Sequence, residues 1–372
     1  MHSVYYIIPT TGIGGAEKRF IELYCYLQQQ EKRFDFNLII SIQLYAALKE
    51  NPEIYKVLQT HESKIITYDI DMNRSIVQSQ KELYRFVCSC TASNDILHFI
   101  LSFPTYIFPL KHEKTVYTLT ESSLKNVNIK GRILYLINAL RANCVDILDP
   151  VVHKKISRNF FFKKNRIMLT PGSFVDTTIF KPAKDHPKEN WFVFLGRFFF
   201  VKQVIEFIET LPEVCKKLDA AGIVNYKFIF LGYGQLEQQL LSIKDSPAFR
   251  ELPIVIKKTN KPEEILAKSK IFFSLQLRNN YPSKSLLEAM AAGNIPLVTD
   301  VGTTRMIAKP SFSSYVPEKF SATDIADQMI RILALDEESM QTKMKAARDC
   351  VIENFSIQAS AAYYIDMYNR LI

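Results

Sequence analysis

Strand-like and helix-like segments alternate along this chain from one end to the other. Short runs of β-branched and aromatic residues, such as VYYIIPT at 4–10 and WFVFLGR at 191–197, are each followed by an amphipathic stretch or a turn. Strands that alternate with helices form parallel sheets whose faces are covered by those helices. The sequence therefore predicts an α/β fold.

The alternation is interrupted at residues 169–190, LTPGSFVDTTIFKPAKDHPKEN, which are rich in Pro, Lys and Asp. A chain of 372 residues is long enough for two domains, each with its own core. We therefore predict one Rossmann-like domain over residues 1–182 and a second over 183–355. The amphipathic segment 356–372 is predicted to form a final helix.

The formal charge of +9 favours an anionic partner. Basic residues are concentrated between residues 121 and 170, where SRNFFFKKNR at 157–166 mixes cations with aromatic side chains. This stretch could seat the protein on an anionic membrane surface, or it could be a solvated basic surface over an aromatic cluster. No recognition motif for nucleic acid accompanies the charge, so we expect no nucleic-acid partner.

The sequence predicts a cytoplasmic protein without a resident metal. No apolar stretch approaches the roughly 18 residues of a membrane-spanning helix, and the N-terminus has no signal-peptide pattern. The six cysteines lie mostly in apolar segments, which favours reduced thiols. They do not combine with histidines at metal-ligand spacing, so we expect no metal site.

The glycine-rich segment TTGIGGAEKRF at 10–20 lies between the first strand and the first helix. A dinucleotide fingerprint needs a third glycine where Glu17 stands and an acidic residue where Ser41 ends the second strand. Both requirements fail, which argues against a dehydrogenase. The N–H groups of this loop could bind a phosphate or a sugar hydroxyl at the helix start, or the loop could be only a tight turn.

Two further segments of the second half suit an anionic ligand. Arg197 ends a strand and Lys202 stands where the next helix begins, so both can reach the carboxyl end of the sheet, where open α/β sheets bind ligands. Two converging cations suit a diphosphate, although either one alone would be ordinary surface charge. Gly234, in FLGYGQLE, is at another strand end where a backbone can approach closely.

The segment NNYPSKSLLEAMAAGNIPLVTD at 279–300 predicts a helix that begins after the N-cap Ser283 and is closed by Gly293. Glu288 lies one turn inside this helix and can reach paired hydroxyls such as those of a ribose. The alternative is a surface ion pair between Glu288 and Lys284, four residues apart.

Taken in order, these segments resemble the retaining GT-B glycosyltransferases of family four, the glycosyl transferases group 1. The resemblance runs through GGAEKRF, LTPGSFVDTTIFKP, GRFFFVKQ, FLGYGQLE and NYPSKSLLEAMAAGNIPLVTDVGTT. It implies the GT-B fold, in which two Rossmann-like domains face each other across a cleft and a C-terminal helix crosses back to the first. It also implies that the second domain binds a nucleotide sugar and that the first binds the acceptor.

The resemblance assigns roles to individual residues. Arg197 and Lys202 match the pair that binds the donor diphosphate, and Glu288 matches the residue that holds the ribose. The other donor-binding candidates are Gly14, Gly15, Gly234, Tyr281, Pro282, Ser283, Lys284 and Ser285. Asn280 stands where the family has its first motif glutamate; its amide can hydrogen-bond a sugar hydroxyl but cannot accept a proton or carry negative charge.

The acceptor side is assigned less specifically. Its candidates are Glu17, His98, Thr120 and Glu121. For His98, which lies in the apolar run DILHFIL, the alternative is a hydrogen-bonded histidine inside the core.

The functional hypothesis is transfer of a sugar from a nucleoside diphosphate sugar to an acceptor hydroxyl with retention. It needs no cofactor beyond the donor substrate and no metal. The expected setting is bacterial surface polysaccharide or glycolipid assembly, such as lipopolysaccharide or capsule, at the inner face of the cytoplasmic membrane. The alternatives are a nucleotide-sugar epimerase or hydrolase on the same scaffold, and a non-catalytic glycosyltransferase-like binding subunit.

Overall fold

Two parallel β-sheets, one in each half of the chain, organise the computed structural model of the protein. It describes residues 2–13, 15–50, 52–69, 76–100, 114–119, 133, 137, 141–159, 165–184, 187–279, 281 and 283–372. The chain divides into two compact units, Met1–Gly172 with Ile357–Ile372, and Ser173–Ser356. The strands of both sheets pair in parallel, which confirms the predicted α/β class.

The first unit has one parallel sheet with helices between its strands. Its strands are β1 His2–Ile8, β2 Phe34–Ser41, β3 Ile65–Tyr68, β4 Ile96–Ile100, β5 Lys114–Leu119, β6 Cys144–Ile147 and β7 Ile167–Leu169. Among the described residues up to Gly172, its helices are α1 Gly15–Gln30, α2 Ile42–Lys49, α3 Pro52–Gln59, α4 Ile76–Cys90 and α5 Pro150–Asn159. The strand order is β3-β2-β1-β4-β5-β6-β7. Parallel neighbours need crossover connections, and the helices supply several of them.

The second unit repeats this arrangement with a six-stranded sheet. Its strands are β8 Glu189–Arg197, β9 Lys227–Tyr233, β10 Ile254–Lys257, β11 Ser269–Ser274, β12 Ile295–Thr299 and β13 Ser314–Val316. Its helices are α6 Val204–Ala220, α7 Glu237–Asp245, α8 Pro262–Leu266, α9 Lys284–Ala291, α10 Ala322–Leu333 and α11 Glu337–Phe355. The strand order is β10-β9-β8-β11-β12-β13.

Both faces of the second sheet are buried. This double burial explains why the sequence of strand β8 is almost entirely apolar. Phe192 and Phe194 belong to the core on one face, whereas Val193 belongs to the core on the other. Successive side chains of a strand point to opposite faces, so a strand covered on both sides needs apolar residues throughout.

The last helix, α12 Ile357–Asn369, belongs to the first unit. Tyr364 and Tyr368 are fully buried there, with their rings 5.8 Å from Phe20 of α1 and 5.9 Å from Phe34 of β2. Aromatic pairs at this separation stabilise packing beyond the area they bury. No helix in the described part of the chain is long and apolar enough to cross a membrane.

The division between the units falls before Ser173, whereas the sequence pattern predicts it near residue 183. The N–H of Val175 donates to the carbonyl of Phe355 over 2.8 Å, and Val175 forms an isolated parallel bridge with Ser356. Arg348 of α11 donates to the carbonyls of Thr177 and Phe180, over 3.2 and 3.0 Å. These bonds attach residues 175–180 to the second unit.

Lys188, the residue before β8, contacts several chain segments at the amino end of the second sheet. Its Nζ donates to four carbonyls, over distances of 2.7 to 3.3 Å; they belong to Leu266, Ala267, Ser269 and Ala292. Burial lowers the pKa of Lys188 to about 7.

Gly293 closes α9 with a φ of +76°, and the N–H of Asn294 donates back to the carbonyl of Ala289, as the sequence predicts for a glycine cap.

Candidate active site

The carboxyl end of the second sheet brings together the polar residues that the sequence singles out in this unit. Arg197 is the last residue of β8 and is exposed; its register partner on β9 is Tyr233. Ligands of open α/β sheets bind beyond this end of the strands. An exposed guanidinium at that place offers a fixed positive charge with several donors to an anionic ligand.

Lys202 follows Arg197 through a 3-10 turn, Phe200–Lys202, and is half-buried. The N–H of Lys202 donates to the carbonyl of Phe199 over 2.8 Å, which fixes its backbone. Burial lowers the pKa of Lys202 to about 8, so the amine still carries its proton for most of the time at neutral pH. An anion bound beside this amine would stabilise the protonated form.

Gln203, which the sequence analysis did not single out, has a left-handed backbone with φ of +48° and directly precedes α6. Its side chain is 3% exposed, and Nε2 has no hydrogen-bond partner among the described residues. Non-glycine residues rarely adopt this conformation, and such residues cluster at functional sites. The sequence hints at this strain only in that a residue other than glycine stands at the turn between two helical segments.

Gly234 makes a close backbone contact, as the sequence predicts for this strand end. It has a φ of +156°, and a Cβ there would lie 2.8 Å from the N of Phe198 and 2.7 Å from its O. Phe198 in turn accepts a hydrogen bond from Leu236 over 3.1 Å. Within this unit the glycine therefore packs against the backbone of the residue that follows Arg197.

The start of α9 carries a polar group that has no hydrogen-bond partner among the residues that the structure describes. Ser283 is the N-cap by position, but its side chain makes no capping bond. The residue is 4% exposed, and its Oγ has no hydrogen-bond partner among the described residues. Together with the positive end of the helix dipole, a buried hydroxyl of this kind suits an anionic ligand.

The other predicted donor-side residues of this segment divide into three groups. Glu288 is half-buried one turn inside α9, and Tyr281 is half-buried against the apolar core of the second unit. Lys284 is exposed, whereas Ser285 is half-buried. Asn280 and Pro282 lie outside the described residues.

The loop between β11 and α9 is attached to its surroundings at several points. The N–H of Leu277 donates to the carbonyl of Val201, over 3.1 Å. Thr299 Oγ1 accepts from the N–H of Gln276 over 2.7 Å and donates to its carbonyl over 2.9 Å. These bonds link the loop both to the turn that contains Lys202 and to the end of β12.

The predicted residues of the first unit give a more limited picture. Gly15 is the first residue of α1, and Glu17 is half-buried in its first turn. Gly14, Thr120 and Glu121 lie outside the described residues. Among the described residues, no group of three or more His, Cys, Asp and Glu side chains could hold a metal ion.

His98 lies inside the first unit, which does not support its assignment to the acceptor side. The side chain is fully buried on β4. Nδ1 is 2.7 Å from the hydroxyl of Tyr368, and Nε2 is 2.7 Å from Oγ1 of Thr118. Burial, with the nearby positive charge of Arg19, lowers the pKa of His98 to about 3, so the ring is neutral. This is the hydrogen-bonded core histidine that the sequence left as the alternative.

Thr118 continues this buried network to Asp146 on β6. Asp146 accepts hydrogen bonds from the hydroxyls of Thr118, Tyr363 and Tyr364, over 2.9, 2.6 and 2.8 Å. Burial raises the pKa of the Asp146 carboxyl, while the hydroxyl donors and the charge of Arg19 oppose that shift. The network fastens α12 to the first sheet.

Residues 175–349, which make up most of the second unit, match the family model described as glycosyl transferases group 1. Over 290 residues, or 74% of each chain, the protein is 23% identical to N-acetyl-alpha-D-glucosaminyl L-malate synthase of Bacillus anthracis. A Campylobacter jejuni alpha-1,4-N-acetyl-D-galactosaminyltransferase, named for its undecaprenol-linked acceptor, is 33% identical over 86 residues, 23% of this chain and 22% of its own.

The fold resembles that of the Anabaena protein Alr3699/HepE in complex with UDP. The two share 11% identity, and the match covers 100% of each chain with a TM-score of 0.76. This likeness concerns the fold and carries no residue roles. The chain therefore has the GT-B fold, and its residues 175–349 carry the sequence pattern of the group 1 glycosyl transferases.

Proposed function

We propose that the protein is a retaining glycosyltransferase that moves a sugar from a nucleoside diphosphate sugar to an acceptor hydroxyl. The observation that carries this proposal is the juxtaposition at the carboxyl end of β8, where Arg197 ends the strand and Lys202 follows in the next turn. The family match over residues 175–349 supports the same reading.

The proposed reaction depends mainly on stabilising the negative charge of the leaving diphosphate. As the bond between the anomeric carbon and the diphosphate breaks, negative charge develops on the leaving phosphate. Arg197, Lys202 and the positive end of α9 supply fixed positive charge and hydrogen-bond donors there. In the front-face path, the leaving phosphate accepts the proton of the attacking hydroxyl, so the protein needs no nucleophile of its own and no metal.

The acceptor is proposed to be a lipid-linked glycan in bacterial surface polysaccharide or glycolipid assembly. The name of the Campylobacter relative includes an undecaprenol-linked acceptor. In this chain, Lys154, Lys155 and Arg158 are exposed on α5, and together they give that helix a basic surface. Such a surface suits the anionic inner face of the cytoplasmic membrane.

The function is tested first by ligand binding and then by turnover. Thermal-shift measurements with UDP, GDP, ADP and their common sugars identify the donor class, and NMR of the product tests whether the anomeric configuration is retained. Donor consumption that requires no acceptor would instead favour an epimerase or hydrolase. A protein that binds none of these nucleotides would contradict the proposal.

Glu288→Gln should weaken nucleotide binding more than turnover. The carboxylate can accept hydrogen bonds from both ribose hydroxyls, whereas the amide offers one accepting oxygen and no charge. We expect the Kd of UDP, measured by calorimetry, to rise about tenfold, with kcat at saturating donor changed much less. An unchanged Kd would favour a surface role for Glu288.

The pH dependence of the reaction should reveal the amine of Lys202. In the free protein its pKa is about 8, so deprotonation above that pH removes a positive charge from the diphosphate site. We expect kcat/KM for the donor to fall as the pH rises through about 8, because this ratio reports groups of the free enzyme. Lys202→Arg keeps its charge and should lose this alkaline decline; a decline that persists unchanged would belong to another group.

A further inference from the structure

The segment 275–279 connects two parts of the proposed donor site. At its middle, the N–H of Leu277 donates to the carbonyl of Val201, the residue before Lys202. Beyond it lie Ser283, Lys284 and Ser285 at the start of α9, which the family resemblance assigns to the phosphates and the donor sugar. The position of segment 275–279 therefore affects where the start of α9 lies relative to the turn that contains Lys202.

Asn279 fixes the far end of this segment. Its Oδ1 accepts two hydrogen bonds from Thr303, one from the N–H over 3.0 Å and one from Oγ1 over 2.8 Å. One side-chain oxygen thus holds the loop after β12 through both a backbone and a side-chain donor. Sequence reasoning did not find this pair, since the two residues are 24 positions apart.

The contact is too close for any residue but glycine at position 302. Gly302 has a φ of +56°, and a Cβ there would lie 2.6 Å from Cβ and 2.8 Å from Oδ1 of Asn279. Real side chains do not approach one another this closely, and the left-handed backbone itself favours glycine. The loop after β12 therefore fits Asn279 in two ways: Thr303 donates the hydrogen bonds to its side chain, and Gly302 leaves the space that this side chain occupies.

We propose that Asn279 is a positioning residue for the transfer reaction: its bonds to Thr303 hold the start of α9, residues 283–285, in position relative to Arg197 and Lys202. This inference rests on the proposed function. In this proposal, Asn279 itself contacts neither the anomeric carbon of the donor nor the acceptor hydroxyl. Its effect is exerted through the segment that follows it, because small displacements of positioning groups reduce rates strongly.

The test is a double-mutant cycle between Asn279→Ala and Thr303→Val. Asn279→Ala removes both hydrogen bonds, whereas Thr303→Val removes the hydroxyl and keeps the N–H. We expect kcat/KM for the nucleotide sugar to fall about tenfold or more in the first variant and about threefold in the second. The double variant should be no worse than Asn279→Ala alone, because the two side chains act through one contact.

A second measurement separates positioning from general loss of structure. The Kd of UDP should change less than threefold in Asn279→Ala, since UDP lacks the donor sugar and Arg197, Lys202 and Glu288 still bind its diphosphate and ribose. Calorimetric stoichiometry then gives the fraction of protein competent to bind, and kcat is expressed per competent site. Fluorescence of Trp191, the one tryptophan of the chain, monitors folding of the same unit.

Asn190→Ala provides a matched control. Asn190 also belongs to the second unit and also makes two hydrogen bonds, to Val224 and Lys270, but at the amino end of β8. We expect its kcat/KM to stay within about twofold of the wild-type value. If Asn279→Ala unfolds, Thr303→Val still tests the same contact in a milder form.

Additive effects in the cycle, or wild-type kcat/KM in Asn279→Ala, would overturn the inference while leaving the proposed function standing. An equal loss of UDP affinity and of turnover would also overturn it, because the contact would then be structural. Wild-type protein that neither binds UDP, GDP or ADP nor consumes their sugars would overturn the proposed function and this inference with it.

Discussion

Replacing Arg197 or Lys202 with alanine should lower kcat for sugar transfer at least about 100-fold. Each variant removes one of the two cations at the carboxyl end of β8, where the leaving diphosphate is proposed to gain charge. Losing one such donor typically costs about 3 kcal/mol of transition-state stabilisation, which corresponds to roughly 100-fold in rate. Single-turnover rates at saturating donor measure this effect without interference from binding.

The control for these variants is Lys227→Ala. Lys227 starts β9 at the opposite end of the same sheet, with its Nζ 5.7 Å from the ring of Trp191. Its removal takes away a lysine of the same unit without touching the proposed site, so kcat should stay near the wild-type value. Circular dichroism checks that all three variants remain folded. Near-normal kcat in both Arg197→Ala and Lys202→Ala would contradict the diphosphate assignment.

Asp146→Ala should strongly destabilise the first unit. The carboxyl accepts three hydroxyl hydrogen bonds and is fully buried. Alanine would deprive the buried hydroxyls of Thr118 and Tyr364, and the half-buried Tyr363, of this acceptor, and it would remove the negative charge near Arg19. Breaking a buried charged network of this kind costs about 3–5 kcal/mol, a large part of the roughly 5–15 kcal/mol that stabilises a typical domain.

Urea unfolding followed by circular dichroism measures this loss, and Trp191 fluorescence reports the second unit separately. Asp366→Ala is the matched control, because Asp366 is an aspartate on α12 itself whose ion pair, with Arg370 just after the helix at 2.6 Å, is exposed. Exposed pairs contribute at most about 1 kcal/mol, so this variant should unfold close to the wild-type midpoint. Equal stability of the two variants would show that the buried network contributes little.

The sequence predicted the longer strands well because burial on both faces gives them long apolar runs. Strand β8, written WFVFLGR in its core, is an example. The sequence pattern did not single out two short strands. These are β6, which has four residues and includes Asp146, and β13, which has three. The carboxyl of Asp146 is compensated by Tyr363, 217 positions away, and no local pattern reveals such a partner.

In the candidate site, too, the features that follow from local sequence were predictable and those that depend on tertiary contacts were not. Arg197 and Lys202 were predictable, because the end of a strand and the start of a helix are visible in the sequence. The hydroxyl of Ser283, which has no partner within the described part of the chain, was not predictable, because a serine before a helix is expected to cap it and here it does not. The left-handed backbone of Gln203 and the contact between Asn279 and Thr303 depend on tertiary structure alone.

The four carbonyl bonds of Lys188 have a consequence for chemical labelling of the protein. With its pKa lowered to about 7, this amine is more often neutral than a surface lysine, and a neutral amine is the form that acylating reagents attack. The four carbonyls around Nζ nevertheless shield it from reagents while the amino end of the second sheet is closed. Acylation of Lys188 therefore requires local opening, and its rate, read by mass spectrometry, would report how often that end of the sheet opens in the native protein.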